Sequence, residues 1–289
     1  MQIIDSRYSL REGHRPSDCT VAFRRWVSLF IPGLKFTQTT EHDVMYGAHL
    51  HDVMEIIWVL SGCTRLICRD RSYRMNCGDA VIIAPNEIHA GGSYESSSFS
   101  FAALHIPRIV LEMLFGYHYA RQCMAPVQLL DRNIAEILYR DLIGGLLDTL
   151  SLADQLTCLD DGLGRLFRAR HSLAFPAVPL TLCHPAVSRA KSIINDTFTE
   201  PIDFCGLALE VHLHQRYLIS LFKAMTGIPP HQYQIALRVD LARKLLDDKL
   251  PLSNVASSAG FADQSHFNRH FKRIYNLTPG VFREQTLPM

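Results

Sequence analysis

Three imidazoles and a carboxylate stand within a short reach of one another in this chain. The stretch Gly47–Gly62, G-A-H-L-H-D-V-M-E-I-I-W-V-L-S-G, holds His49, His51 and Glu55 in an H-x-H-x-x-x-E spacing. On a β-strand, odd positions share one face, so these three side chains would converge on the inside of a barrel. A later run, Gly78–His89 (G-D-A-V-I-I-A-P-N-E-I-H), ends in a fourth candidate, His89. Neutral imidazoles with one carboxylate suit a divalent Fe, Mn, Zn or Ni ion. Two other readings stay open: the histidines hydrogen-bond internally, or they line a pocket for an organic effector.

Basic side chains form a second set. Arg7, Arg11 and Arg15 recur every four residues, and Arg65 and Arg69 repeat that spacing. Arginine forks suit phosphodiesters, and R-x-x-x-R resembles an element with which PilZ domains grip cyclic di-GMP. A nucleotide effector is therefore one alternative, and a solvated arm with a charged strand face is the other.

These residues need elements to place them. Phe23–Leu29, Glu55–Leu60, Thr64–Arg69 and Ser98–Ile106 read as short strands, separated by turn signals at Ser61-Gly62, Asn76-Cys77-Gly78 and Gly91-Gly92. Many short strands favour a sandwich or small barrel. From Asp131 the period lengthens. Asp131 can cap a helix carrying Ile134, Ile137, Leu138 and Leu142, and a second helical stretch carries Leu156, Leu159, Leu163, Leu166 and Phe167. Their stripe either covers the barrel or forms a dimer seam. Ala174–Pro185, with three prolines, reads as a linker.

The 289 residues bound the choices further: at 48% apolar and 20% charged they exclude a disordered or fibrous chain, and the length suits about two domains. No apolar run approaches a membrane span, the longest compact one being Ala80–Ala84, and the N-terminus turns polar within five residues. The eight cysteines form no C-x-x-C pair, so reduced thiols in a cytoplasmic protein are expected. The net charge of +1 conceals an asymmetry. Up to Leu180 there are 17 Lys+Arg against 19 Asp+Glu, and beyond it 12 against 9.

That mildly basic half contains a repeat of a short helix, a turn and a longer helix. One unit runs Ile202–Val211, a turn at His212–Leu213, then His214–Met225. The other runs Leu252–Ala259, a turn at Gly260–Phe261, then Asp263–Tyr275, with His231–Asp248 as one long helix between them. Aligned, Leu218, Leu221, Phe222 and Lys223 stand beside Phe267 to Lys272. Each longer helix thus has one apolar stripe and an outward polar face, as a major-groove reader requires.

Ala242–Arg283 resembles the AraC/XylS family of bacterial transcription regulators. Ala256, Gly260-Phe261, Ser265, Phe267, Phe271-Lys272, Pro279 and Arg283 fall at the family's spacing, and the match extends from Ala186 to Glu284. In the first unit His212 and His214 stand where the family usually has Gly and Ser, and His is a poor N-cap. The resemblance implies groove-facing Arg216, Ile219, Ser220 and Lys223 in the first reader, and Gln264, Ser265, Asn268 and Arg269 in the second. Arg216 and Arg269 can pair bidentately with guanine, and Gln264 or Asn268 with adenine. Lys223, Lys272 and Arg273 would hold phosphates. The two N-terminal motifs resemble those of cupins, a fold common in the sensor domains of this family. The second departs from the metal-binding enzymes, since Pro85 is followed by Asn-Glu-Ile-His, without a Gly and one residue short.

The expected architecture is a two-domain chain. Residues 1–173 form an all-β cupin-like barrel with appended helices, 174–185 a linker, and 186–289 an all-α domain with two helix-turn-helix units. The expected function is an effector-responsive, homodimeric transcriptional activator that reads promoter DNA and contacts RNA polymerase, with no membrane partner and no catalysis. The alternatives are a cyclic-di-GMP-responsive regulator, a metal-dependent cupin enzyme with a DNA-targeting tail, and a constitutive DNA binder with a dead pocket.

Overall fold

The computed structural model describes residues 4–6, 23–69, 71–95, 97–116, 127–149, 151–172, 184–246 and 250–286. Arg7, Arg11, Arg15 and most of the expected linker lie outside these residues.

The N-terminal part is an antiparallel sheet structure built on one long strand. Its elements are β1 (Ile4–Ser6), β2 (Phe23–Val27), β3 (Lys35–His42), β4 (Met45–His49), β5 (Val53–Cys68), β6 (Arg71–Asn76), β7 (Ala80–Ile83), β8 (His89–Ser93), β9 (Ser98–Pro107) and β10 (Val127–Leu130). The main sheet has the order β1-β2-β3-β9-β5-β7-β10, while β4, β8 and β6 gather on the far half of β5. The two predicted strands Glu55–Leu60 and Thr64–Arg69 are therefore one, and Ser61-Gly62 is no turn. The register slips between Val59 and Ser61, and Gly62 takes φ +71. A Cβ at Gly62 would stand 2.2 Å from the Ser98 carbonyl oxygen, so the bulge that bends β5 requires glycine. Gly91-Gly92 likewise lies inside a strand, β8, where a Cβ on Gly92 would meet the Val44 carbonyl at 2.0 Å. Both pairs mark close backbone approach, which a sequence cannot distinguish from a turn. Asn76-Cys77-Gly78 is the expected turn, with Gly78 at φ +86.

Alternation along the strands makes two apolar layers. Val59, Leu66, Met75, Val81, Ile83 and Val127 fill the space between the two halves of the sheet structure. Met54, Ile56, Trp58, Ala102, Leu104 and Ile106 face the other way, onto helices α1 (Arg108–Phe115), α2 (Arg132–Leu138), α3 (Gly144–Asp148) and α4 (Leu152–Ser172). Asp131 caps α2 as expected, accepting from Asn133 N. Leu138, Leu142, Leu159, Leu163 and Leu166 are buried in this layer and Ile134 and Leu156 pack against it, so the helical stripe covers the sheet, although Ile137, expected on the same face, is exposed. Trp58 Nε1 donates to the Ala135 carbonyl at 3.0 Å, and Ser28 Oγ donates to Gln155 Oε1 at 2.6 Å, tying both helical pieces to strands.

The C-terminal part is helical: α5 (Pro185–Thr197), α6 (Phe204–Glu210), α7 (Gln215–Thr226), α8 (Pro230–Leu245), α9 (Leu252–Ser258), α10 (Gln264–Tyr275) and α11 (Pro279–Thr286). Pro185 is not linker but the first residue of α5, where its missing N–H costs nothing. Two cores flank α8. One gathers Val187, Ile194, Leu207, Leu218, Phe222 and Tyr233, the other Val239, Val255, Ala256, Phe261, Phe267 and Phe271. The turn between α5 and α6 joins them. Gln234 Nε2 and the Arg238 guanidinium of α8 both donate to the carbonyls of Phe198 and Glu200, at 2.6–2.9 Å.

Arg238 is itself buried, and a guanidinium on two carbonyls makes stronger bonds than an amide does. Replacing it with Met should destabilise the chain by about 2–3 kcal/mol, read by urea unfolding under circular dichroism. A loss below about 0.5 kcal/mol would mean that Gln234 alone holds the turn.

Candidate nucleic-acid interface and histidine cluster

Each reader helix packs by one stripe. In α7, Leu218, Phe222 and Thr226 are buried, and in α10, Phe267, Phe271 and Ile274. The positions expected to face DNA point outward: Arg216, Ile219, Ser220, Lys223, Gln264, Ser265, Arg269, Lys272 and Arg273 are exposed. Asn268 is half-buried, and its Oδ1 has no hydrogen-bond partner. Tyr217, 54% exposed beside Ile219, was not anticipated; an aromatic off the apolar stripe was the available signal.

The N-termini of both readers are fixed by caps. Asp263 accepts from His266 N at 2.7 Å. His214, by type a poor cap, accepts from Arg216 N through Nδ1 at 3.3 Å, which a neutral imidazole can do. His212 takes φ +55, as the turn demands, and Gly260 takes φ +80 at the equivalent place. Gly260 also lacks room for a side chain, since a Cβ there would lie 2.2 Å from the Thr199 carbonyl oxygen. The first unit therefore keeps the geometry of the second, with one residue fewer between the turn and the cap.

The histidines do converge, although not along one strand. His49 ends β4 and pairs with His89 of β8, while Glu55 of β5 pairs with His105 of β9. His51 sits in the connection between β4 and β5. His105 was missed because nothing near it in sequence marks it. It donates from Nε2 to Glu55 Oε1 at 2.9 Å. The other carboxylate oxygen, Oε2, lies 3.1 Å from His51 Nε2 and 3.5 Å from His89 Nε2. Burial holds His49 and His105 down to about 4, and His89 well below the ordinary imidazole range. Burial alone would raise Glu55; the facing His105 and His51 outweigh it and keep the carboxyl ionised.

Arg65 and Arg69 do not form a fork. Arg69 binds Glu87 at 2.8 Å, and Arg65 lies over the Tyr94 ring, 5.5 Å from its centre.

Residues 33–165 match the family model of an AraC-like ligand binding domain, and residues 207–285 match that of a helix-turn-helix domain. The chain belongs to the AraC family of transcriptional regulators. The regulator is 27% identical to a probable transcriptional regulator, LumQ, of Photobacterium leiognathi, over 80% of its own length and 89% of LumQ. To the transcriptional activator RhaR of Escherichia coli K12 it is 23% identical, over 83% and 87%. Its fold resembles that of ToxT from Vibrio cholerae solved with an unsaturated fatty acid, with a TM-score of 0.64 over 91% of this chain and all of that one, at 15% identity. A sheet-rich ligand-binding domain followed by a helix-turn-helix DNA-binding domain is thus the organisation of this regulator. No helix among the described residues is long and apolar enough to cross a membrane.

Among the described residues of the sheet domain, three buried polar side-chain atoms lack partners: Thr39 Oγ1 and Glu41 Oε2 on β3, and His105 Nδ1 on β9. Glu41 accepts from the Tyr46 hydroxyl, yet burial pushes its carboxyl up to about 7. A carboxyl at 4.5 in the unfolded chain and about 7 in the folded one favours folding fully below pH 4.5, and that contribution is lost as pH rises to about 7. Relative to Glu41→Gln, the parent should lose up to roughly 3 kcal/mol of stability between pH 4.5 and 7.5. Chemical unfolding of both chains across that range checks this; parallel curves would mean Glu41 keeps an ordinary carboxyl.

Proposed function

We propose that this regulator is an effector-responsive activator whose two readers enter successive major grooves of promoter DNA. The observation that carries the reading is the equivalence of the two units across α8. Each presents a capped reader with its polar face outward, and together they suit grooves one helical turn apart, roughly 34 Å. Arg216, Ile219 and Ser220, with Gln264, Ser265, Asn268 and Arg269, read base edges; Lys223, Lys272 and Arg273 hold phosphates. A small molecule sensed in the N-terminal domain fits the three partnerless buried atoms, because native proteins rarely leave such groups unsatisfied. The fatty acid held by ToxT and the activator role of RhaR support the same reading. The regulator acts in the cytoplasm as a homodimer, engages RNA polymerase and catalyses no reaction.

Arg269→Ala should weaken binding to a duplex selected by this chain from a random pool by about 1–3 kcal/mol and relax one base preference. Lys272→Ala should weaken selected and random duplexes alike and reduce the salt slope by about 1. Fluorescence anisotropy at several salt concentrations separates the two. Equal losses for Arg269→Ala on both duplexes would make it a phosphate contact.

A further inference from the structure

The three imidazoles beside Glu55 bring one ring nitrogen each to a common place, two of them facing the same carboxylate oxygen. His49 Nδ1 lies 2.8 Å from the Gly47 carbonyl, His51 Nδ1 3.1 Å from that of Val53, and His89 Nδ1 3.0 Å from that of Glu87. A carbonyl oxygen only accepts, so each of these Nδ1 atoms carries the proton. In the neutral rings Nε2 then bears a lone pair. Yet the Nε2 atoms of His51 and His89 both face Glu55 Oε2, an acceptor against acceptors. A proton on His51 would settle one of these contacts; a metal ion that takes both lone pairs and the carboxylate oxygen settles both at once. One ring nitrogen of each of His49, His51 and His89 lies within 4.8 Å of the other two. Tetrahedral coordination at 2.0–2.1 Å from an ion would set them about 3.4 Å apart, a change that small ring rotations supply.

The surrounding groups are those a metal site needs. Backbone carbonyls fix the tautomer of every candidate ligand, and His105 holds Glu55 by its other oxygen, leaving Oε2 directed at the cluster. His51, Glu55 and His89 are buried and His49 is half-buried, so the ion would be largely shielded from water.

We propose that His49, His51, His89 and Glu55 bind one divalent transition-metal ion, with His105 as the positioning residue, and that this ion couples the ligand-binding domain to the second reader. Contacts between β4 and the end of α10 supply the coupling route. The His49 ring lies 5.9 Å from that of Tyr275, the last residue of α10. Asn276, next in the chain, donates to the Met45 carbonyl of β4. Gly47, whose carbonyl holds His49, approaches α10 so closely that a Cβ there would stand 2.6 Å from the Arg273 carbonyl oxygen. An ion that fixes His49 thereby fixes the strand on which the C-terminal end of the reader rests. Metal binding stands on the cluster alone; the coupling also rests on the effector-responsive reading above.

The test uses the full chain stripped with a chelator. Titration with Co²⁺ should give the visible absorption of a low-symmetry nitrogen and oxygen site, saturating at one ion per chain and displaced by Zn²⁺. The double variant His51→Gln/His89→Gln should lose it while keeping the parent's circular dichroism. His105→Ala should retain one ion but bind it about 10–100-fold more weakly. No saturable Co²⁺, or equal binding by the folded double variant, would overturn the site. If the double variant does not fold, unchanged Co²⁺ affinity in the single variant His89→Gln overturns it instead; unchanged affinity in His105→Ala overturns the positioning role. For the coupling, affinity for the selected duplex should differ at least 5-fold between metal-loaded and stripped parent. A smaller difference overturns the coupling while leaving the site. Failure of both the stripped and the metal-loaded chain to bind any duplex, with Co²⁺ binding intact, would instead count against the regulator reading.

Discussion

The DNA-binding half depends on the grip of α8 on the turn at Phe198–Glu200. Two helix-turn-helix units with separate cores have no reason to keep a fixed relation unless something rigid spans them. Helix α8 supplies the span, contributing Tyr233 and Ala236 to one core and Val239 and Ala242 to the other. Its Gln234 and Arg238 reach sideways to the same two carbonyls, and the Thr199 carbonyl between them packs against Gly260 in the second unit. A turn after α5 is thus held by the long helix and abutted by the distant turn. Spacing between readers is then set by one continuous helix and the turn it holds.

The same helix carries the join to the ligand-binding domain. Buried Asp240 binds Arg243 and Lys244, and their charges keep its carboxyl below the usual range although burial opposes this. Lys244 also reaches Asp52, at 2.8 Å, in the connection that holds His51. Leu50 and Ile88, one on either side of the histidines, are buried in the first unit's core beside Val187 and Tyr233. The two domains therefore share apolar surface, an ion pair and the β4–α10 contact. All of these meet within a few residues of the histidine cluster. A ligand bound there would not need a long chain of contacts to influence the readers.

Much of the helical half was legible in the sequence. Amphipathic period, the repeat and the caps are local properties, and Asp131, Asp263 and Gly260 do what their types imply. The sheet half was legible only in part. Ser61-Gly62 and Gly91-Gly92 read as turns, because positive φ and tight backbone approach leave the same mark on a sequence. His214 was underrated, since propensity treats a cap by residue type whereas the structure turns the ring so that Nδ1 faces Arg216 N. His49, His51, Glu55 and His89 were found from their spacing, although it is the turn between β4 and β5, rather than one strand's pleat, that brings them together.

By itself, then, the sequence determined which residues could read DNA and which could bind a ligand, because those properties follow from residue type and short-range period. Tertiary structure alone decided that His105 faces Glu55, that the stripe of α2–α4 is buried against the sheet, and that β4 lies under the end of the second reader. Each joins residues far apart in the chain, through cross-strand register or a close backbone approach. No local pattern encodes such pairings, because they exist only when two surfaces meet.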